Sequence, residues 1–470
     1  MNLFRKKSIQ DLVLESQQKS GLKKALGALD LTMLGIGAII GTGIFVLTGV
    51  AAANYAGPAL VVSFIVSGLA CAFAALVYAE FASMVPVAGS AYTYSYAALG
   101  ELFAWIIGWD LMLEYALASS TVAIGWSGYF VKLLQGFGIN FPVWAIKSSS
   151  EGGLLNIPAL VITLLIIWLL SMGVKESARV NNIIVFVKLI AVVVFIVVAV
   201  WYVKPANWQP FMPFGWKGVF GGAAIVFFAY IGFDSVSTAA EEVKNPQRDL
   251  PIGIIASLIV CTVLYIVVAA ILTGAVPYTQ LNVSAPVALA LQLIGQNWAA
   301  GLISLGAIGG ITTVLLVMLY GQTRVFYAMS RDGLLPKVFS DIHPKHKTPF
   351  KSTWLTGIVV AVVAAATPIG IVAEMVNIGT LAAFTMVSIA VIVLRRSQPD
   401  VPRAFRCPAV PVVPLLAAGF CVFLMFQLPL ATWIRFIVWL VLGFIIYFLY
   451  GYKHSKLNAA NKPGALKAAK

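Results

Sequence analysis

The residues best suited to chemistry in this sequence are a few charged side chains inside long apolar stretches. Lys188 lies in the run 183–192, which contains no other charge, and Asp110 and Glu114 lie four residues apart. The two acids therefore share one face of a helix. A lysine at the middle of a membrane span costs roughly 2.5–3.5 kcal/mol, which indicates a function. A lysine nearer the end of a span can instead extend its side chain to the interface.

Two glycine-containing stretches offer a second kind of chemistry, through the backbone. The first, 35–45, has four glycines within nine residues, and the second contains Gly221 and Gly222 followed by the segment 227–234. A helix that breaks inside a membrane exposes N–H groups, which attract anions, and carbonyl groups, which attract cations. Glycines of this kind also occur where two membrane helices simply pack closely.

The composition places the chain in a membrane and disfavours several other functions. It is 61% hydrophobic and 10% charged, whereas soluble domains carry about 25% charged residues. The four cysteines show no metal-ligand or disulfide spacing. The sequence contains no phosphate-binding loop and no nucleophile–base set, so we expect neither a cofactor nor enzymatic activity. The net charge of +14 lies in loops between apolar stretches, which argues against nucleic-acid binding.

Twelve apolar stretches are long enough to position these residues across a bilayer, which requires ~20 residues. They cover 31–53, 58–84, 100–130, 155–174, 181–203, 217–241, 251–275, 296–328, 353–370, 372–394, 409–430 and 433–452. The first is longer than the ~7–15 apolar residues of a cleaved signal, so it is interpreted as a retained span. The preceding segment 9–22 fits either an amphipathic helix on the inner membrane surface or a polar tail.

The basic residues predict the orientation of the chain. With the N-terminus in the cytoplasm, 25 of the 31 lysines and arginines lie on the cytoplasmic side, 5 lie outside, and Lys188 lies within a span. Cytoplasmic loops are enriched in lysine and arginine, so both termini are predicted to be cytoplasmic.

The two glycine-containing stretches lie near mid-membrane and five spans apart. An odd offset gives the two halves opposite topology, which is typical of an inverted repeat with broken helices at matching positions. The predicted organisation is a cytoplasmic segment 1–30, a first repeat 31–203, an inverted repeat 217–394, two further spans in 409–452, and a cytoplasmic tail 453–470.

Three motifs carry a resemblance to a known family over essentially the whole chain. They are Gly37 to Phe45 (GAIIGTGIF), Glu241 to Pro251 (EEVKNPQRDLP) and Arg324 to Pro336 (RVFYAMSRDGLLP). Their order and position resemble the bacterial members of the cationic amino acid transporter family, within the amino acid–polyamine–organocation (APC) superfamily. The resemblance implies an all-α membrane protein of about 12 transmembrane helices, with a LeuT-like five-plus-five inverted repeat whose first and sixth helices are broken.

The resemblance also implies a function, secondary active transport of amino acids at the cell membrane by alternating access. Its partners would be an amino acid, protons and the lipid bilayer; partner subunits are not predicted. A proton-coupled symporter of neutral or broad-range L-amino acids and an amino acid exchanger share every site residue. A membrane amino acid sensor is the third interpretation, but such sensors usually append a large soluble domain, and we expect none in the 18 residues after Tyr452.

A broken helix supplies partners for both charges of an amino acid. N–H groups at Gly41, Thr42 and Gly43 would bind the carboxylate, with the Thr42 hydroxyl as a further donor. Carbonyls of Ile39, Phe228 and Ile231 would bind the ammonium. Phe228 is otherwise a packing aromatic, and Met318 either sets the size of the pocket or faces lipid or core. The expected substrate-binding residues are Ile39, Gly41, Thr42, Gly43, Phe228, Ala229, Ile231 and Met318.

Lys188 and Glu114 are the predicted proton-coupling residues, and the family resemblance supports the position of Lys188. In family members that need no sodium, a lysine in the fifth span takes the place of a sodium ion beside the broken first helix, and Lys188 matches it. Its ammonium would hold carbonyls near residues 35–38. Glu114 would either border the pocket or balance Lys188, Asp110 would lie near the outer interface, and Asp234 would cap the second half of the sixth helix. The stretch 119–121 would face the pocket or, as its polar side chains favour, pack against neighbouring helices.

Overall fold

The computed structural model describes residues 3–7, 25–84, 90–173 and 178–460. This part of the chain is α-helical, with two isolated β-bridges and no β-strand among the described residues. Helices α1 to α17 are, in order, Ala28–Ile39, Thr48–Ala51, Leu60–Met84, Ser90–Ala98, Glu101–Gly136, Ile157–Ser171, Ala178–Ala199, Gly215–Val226, Pro246–Ala275, Pro286–Leu293, Asn297–Arg331, Phe350–Ala366, Ile369–Ser397, Val412–Phe426, Leu430–Ile446, Tyr452–His454 and Lys456–Ala460.

These helices match the predicted spans, whose numbers 1–12 we keep. In the described residues, eight helical segments are long and apolar enough to cross a membrane, one of which joins the second half of span 1 to span 2. Four shorter apolar helices, α1, α6, α12 and α14, account for the first half of span 1 and for spans 4, 9 and 11. Spans 9 and 10 separate at Thr367-Pro368, a few residues before the predicted boundary at 370–372, because proline cannot continue the first helix. The segment 9–22 lies outside the described residues.

Span 1 is broken where the prediction placed it. Helix α1 ends at Ile39, and Ile40 takes an extended conformation with φ −76° and ψ 102°. The chain then continues through a π-helical turn, Gly43–Leu47, helix α2 and a second π-helical turn, Ala52–Ala56. The break therefore spans only two residues, Ile40 and Gly41.

Span 6 is broken at Ile231 and Gly232. Helix α8 is followed by a 3₁₀ turn, Phe227–Tyr230, and by an extended Ile231 at ψ 134°. Gly232 then adopts φ 120°, which residues with a side chain rarely reach, before the 3₁₀ helix Phe233–Glu242 begins. The broken first and sixth helices confirm the predicted fold; the repeat boundaries at 31–203 and 217–394 stay a prediction.

Most of the glycines that suggested the breaks are packing contacts instead. Gly35 and Gly37 lie in regular helix α1, where an added Cβ would lie 2.6 Å from Ser257 Cβ and 2.7 Å from Val185 Cγ2 respectively. Gly221 and Gly222 likewise lie inside helix α8. The alternative of close helix packing therefore holds for these four positions, although the stretches that contain them do include the breaks.

The long helices pack into two groups. Spans 1, 2, 6 and 7 form one group, in which span 7 packs along spans 1 and 2 and span 2 packs along span 6. Spans 3, 4, 8 and 9 form a second group. Span 5 touches both groups, through spans 1 and 8. The two breaks face each other in the core between the groups, so the exposed backbone of both half-helices meets at one place.

Candidate substrate-binding site

A small cavity lies where the two breaks meet. Its walls come from spans 1, 3, 6 and 8, and its lining residues are Ala38, Ile39, Gly41, Thr42, Gly43, Ala118, Val122, Phe228, Ile231, Val314 and Met318. Seven of the eight predicted substrate-binding residues lie in this wall.

Thr42 provides the polar edge of the cavity on span 1. Its side chain is 1% exposed, and its Oγ1 has no hydrogen-bond partner among the described residues. The half-helix that starts here also leaves its first N–H groups without intrahelical partners. Span 3 fixes the side chain, because a Cβ on Gly125 would lie 2.7 Å from Thr42 Oγ1. The arrangement presents unpaired donors to the cavity, as a carboxylate requires.

Span 6 contributes Phe228 and Ile231 to the opposite wall. The Phe228 carbonyl already accepts a hydrogen bond from Ile231 N at 3.2 Å, which closes the 3₁₀ turn. Ala229 packs behind the wall, directly against Gly43. A Cβ added to Gly43 would collide with the Cα of Ala229. Gly43 is thus needed for the close approach of the two half-helices, which is the packing role that stood as the alternative to ligand contact.

Tyr265 in span 7 joins the two breaks and was missed by the sequence analysis. Its hydroxyl lies 3.0 Å from the Ile39 carbonyl oxygen and 2.9 Å from that of Ala229. The ring is fully buried and packs against Phe64 and Tyr230. One hydroxyl hydrogen cannot fully satisfy two carbonyl oxygens, so the breaks retain acceptor capacity. Nothing in the local sequence distinguishes Tyr265 from other apolar-span tyrosines.

The remaining wall is apolar. Met318 is 4% exposed and lies beside Val314 of span 8, opposite Ala118 and Val122 of span 3. Of these four, the sequence analysis identified only Met318; its lipid-facing alternative is wrong. Ser119, Ser120 and Thr121 bond back to carbonyls one turn earlier in their own helix. Ser120 also donates to the Val360 carbonyl of span 9 at 3.2 Å, which agrees with the packing interpretation for that residue.

Lys188 lies on the other side of the span 1 break. Its side chain is fully buried, and Nζ donates to the carbonyls of Gly37 at 2.7 Å and Ile40 at 3.2 Å. The snorkelling alternative is therefore wrong. Span 8 makes room for the stem, because a Cβ on Gly310 would lie 2.6 Å from Lys188 Cγ. A fixed cation here satisfies carbonyls that the break leaves without helical donors.

The two acids of span 3 lie in a separate cluster. Glu114 is 3% exposed and lies within electrostatic range of Asp110 and Asp234, with Thr380 beside its carboxyl group. It lies one helical turn before Ala118 and is not among the residues that line the cavity. Asp110 is fully buried, and its place near the outer interface stays a prediction. Both of its carboxyl oxygens lack a hydrogen-bond partner among the described residues.

Comparison with known proteins gives consistent matches. Residues 26–449 match the family model described as amino acid permease. The chain is 60% identical to the branched-chain amino acid permease BcaP of Bacillus subtilis and 57% identical to its methylthioribose transporter, over 97% of this chain and 99% of each relative. It is 40% identical to the vacuolar cationic amino acid transporter 4 of Arabidopsis thaliana, over 85% of this chain and 68% of that protein. These relatives are named as permeases and transporters rather than enzymes.

Proposed function

The chain belongs to the amino acid permease family of the APC superfamily, and on that premise we propose that it is a proton-coupled symporter of neutral L-amino acids. The observation that carries this proposal is the cavity at the two breaks. It combines the unpaired Thr42 hydroxyl with backbone carbonyls of span 1 and span 6, and its other walls are apolar. This arrangement matches a zwitterion with an aliphatic side chain.

The charge of the lining supports a neutral rather than a cationic substrate. None of the lining residues has an ionisable side chain. Lysine or arginine as substrate would bring a charged end that needs a buried partner. The branched side chains of leucine, isoleucine and valine fit the surface of Val122, Val314 and Met318, in keeping with the name of the 60% identical relative.

Lys188 supports proton coupling. It is a buried cation whose two backbone partners belong to the half-helix that must move for access to alternate. An ammonium can release a proton and a sodium ion cannot. Import into the cell across the plasma membrane, with both termini cytoplasmic, completes the proposal.

Uptake by purified protein in proteoliposomes tests substrate and coupling together. Radiolabelled leucine, isoleucine, valine, alanine and arginine are offered with and without an inward proton gradient. Gradient-driven accumulation of the branched-chain amino acids supports the proposal. Uptake that requires a counter-substrate inside, without any response to the gradient, identifies an exchanger instead. Unlabelled methylthioribose is included as a competitor, because the 57% identical relative is named for it; its preference over amino acids would refute the substrate assignment.

A further inference from the structure

One hydrogen bond connects the second half of span 1 to the opposite group of helices. Tyr129 of span 3 is fully buried, and its hydroxyl donates to the carbonyl of Phe45 at 2.7 Å. The two rings also meet edge to face, with their centroids 5.9 Å apart. Phe45 lies in the π-helical turn directly after the break. The contact therefore holds the half-helix that begins at the substrate cavity.

The same tyrosine also contacts helix α10, which lies between spans 7 and 8 in the sequence. Its oxygen faces the backbone N–H groups of Val287 and Ala288, in the first turn of helix α10. Two glycines, one in span 1 and one in span 3, let the segment that precedes helix α10 approach these spans closely. A Cβ on Gly128 would lie 2.6 Å from Ser284 Cβ, and a Cβ on Gly49 would meet the Leu281 carbonyl. The segment 281–293 thus rests on span 1 and span 3 at once, with Tyr129 at their junction.

Tyr129 and Lys188 occupy corresponding places on the two sides of the break. Lys188 binds the carbonyl of Gly37 before the break and that of Ile40 within it, and Tyr129 binds the Phe45 carbonyl after it. A transporter that alternates access must release one half of span 1 while the other stays closed. The hydrogen bond of Tyr129 crosses from one helix group to the other, so it breaks when the groups separate on that side.

We propose that Tyr129 is a positioning residue of the gate on the Ser284 side, where its hydroxyl holds the second half of span 1 and the segment 281–293 closed over the cavity. This inference rests on the proposed alternating-access function. It assigns no contact with the substrate to Tyr129. Loss of the Tyr129 hydroxyl shifts the population towards conformations that are open on the Ser284 side.

The test compares Tyr129→Phe with Tyr230→Phe in protein that carries Val122→Cys in the cavity wall. Tyr230 is also fully buried, but its hydroxyl donates to Phe64 at 2.8 Å within one helix group. The four native cysteines are buried, and protein without Val122→Cys measures their background. A membrane-impermeant maleimide is applied to each face of the membrane in turn, and the rate of labelling is measured.

Tyr129→Phe should raise the labelling rate from the Ser284 side about 3- to 10-fold, the effect of one net hydrogen bond on an equilibrium. Labelling from the other face should not rise, and Tyr230→Phe should leave both rates unchanged. Gly128→Ala should also raise the labelling rate from the Ser284 side, because the added methyl group displaces Ser284 from its contact with span 3. An unchanged labelling rate in Tyr129→Phe would contradict the proposed role of Tyr129. So would an equal rise on both faces of the membrane, or an equal rise in Tyr230→Phe. If a saturating amino acid fails to slow the labelling of Val122→Cys, the proposed transport function is contradicted. The ratio of the labelling rates from the two faces still tests the role of Tyr129 independently.

Discussion

The ammonium of Lys188 lies 2.7 Å from the carbonyl oxygen of Gly37, a residue 151 positions away in the sequence. Gly37 lies in the last turn of the first half of span 1, where the break leaves carbonyls without helical donors. Its lack of a side chain also lets span 5 approach, because an added Cβ would meet Asn181 and Val185. Lys188 therefore links span 5 to the end of the first half of span 1.

The first prediction concerns coupling through this contact. Lys188→Ala should abolish accumulation of substrate against a gradient while changing the equilibrium binding constant less, because Lys188 does not line the cavity. Lys188→Arg should also fail, since a guanidinium stays charged in proteins. In the unmodified protein, uptake should rise as external pH falls, collapse with a protonophore and ignore sodium. Accumulation by Lys188→Ala that still depends on pH would assign the proton to another group, with Glu114 as the next candidate.

The second prediction concerns the substrate carboxylate. Thr42→Val should weaken substrate binding about 10- to 100-fold, the range for hydrogen bonds to a charged group. It should not lower thermal stability without substrate, because the hydroxyl has no partner in the described structure. Thr42→Ser should retain affinity. Thr48→Val is the matched control, since the Thr48 hydroxyl bonds back to Gly43 in the same half-helix. Binding by isothermal calorimetry measures all four proteins, and unchanged affinity in Thr42→Val would place the carboxylate elsewhere.

The third prediction concerns Tyr265. Tyr265→Phe should weaken substrate binding about 3- to 10-fold, because the hydroxyl ties the Ile39 carbonyl, which is expected to face the ammonium, to Ala229 of the second break. Tyr230→Phe removes the same atom from the neighbouring ring, whose hydroxyl bonds to Phe64, and should leave affinity unchanged. Competition by leucine and by 4-methylpentanoate, which lacks the amino group, separates the two ends of the substrate. An equal loss for both compounds would show a general distortion of the site.

The fourth prediction concerns selectivity. Met318→Ser shortens the side chain in the apolar wall and should widen the range of accepted amino acids, while leucine binds less tightly. Met329→Ser is the control, because Met329 is a buried methionine of the same span outside the cavity lining. Competition by a panel of amino acids against leucine uptake provides the measurement. Strong arginine or lysine transport by the unmodified protein, with alanine and other neutral amino acids excluded, would contradict the neutral-substrate assignment.

The fifth prediction concerns orientation. Ser149 and Ser284 are exposed in segments that the distribution of basic residues assigns to the outside. Ser149→Cys and Ser284→Cys should react with an impermeant thiol reagent added to intact cells. Reaction only in inside-out vesicles would reverse the predicted topology.

Much of the fold was predictable because its main requirement is local. A membrane span needs about 20 apolar residues wherever it lies in the chain, so hydrophobicity alone located the spans to within several residues. The proline at 368 and the odd number of spans between the two breaks can also be recognised along the sequence. The same holds for the isolated charge of Lys188, since a buried charge without a purpose is disfavoured in any apolar helix.

The tertiary structure decided which of these residues meet. Glycines 35, 37, 41 and 43 look alike in the sequence, yet only Gly41 lies in the break, because the neighbouring helices determine which positions need space. Glu114 lies within electrostatic range of Asp110 and Asp234, and Tyr265 joins carbonyls 190 residues apart. Hydrogen-bond partners are set by how helices from distant parts of the chain pack together. Hydrophobicity determines that these helices cross the membrane, but not which of their polar atoms come into contact.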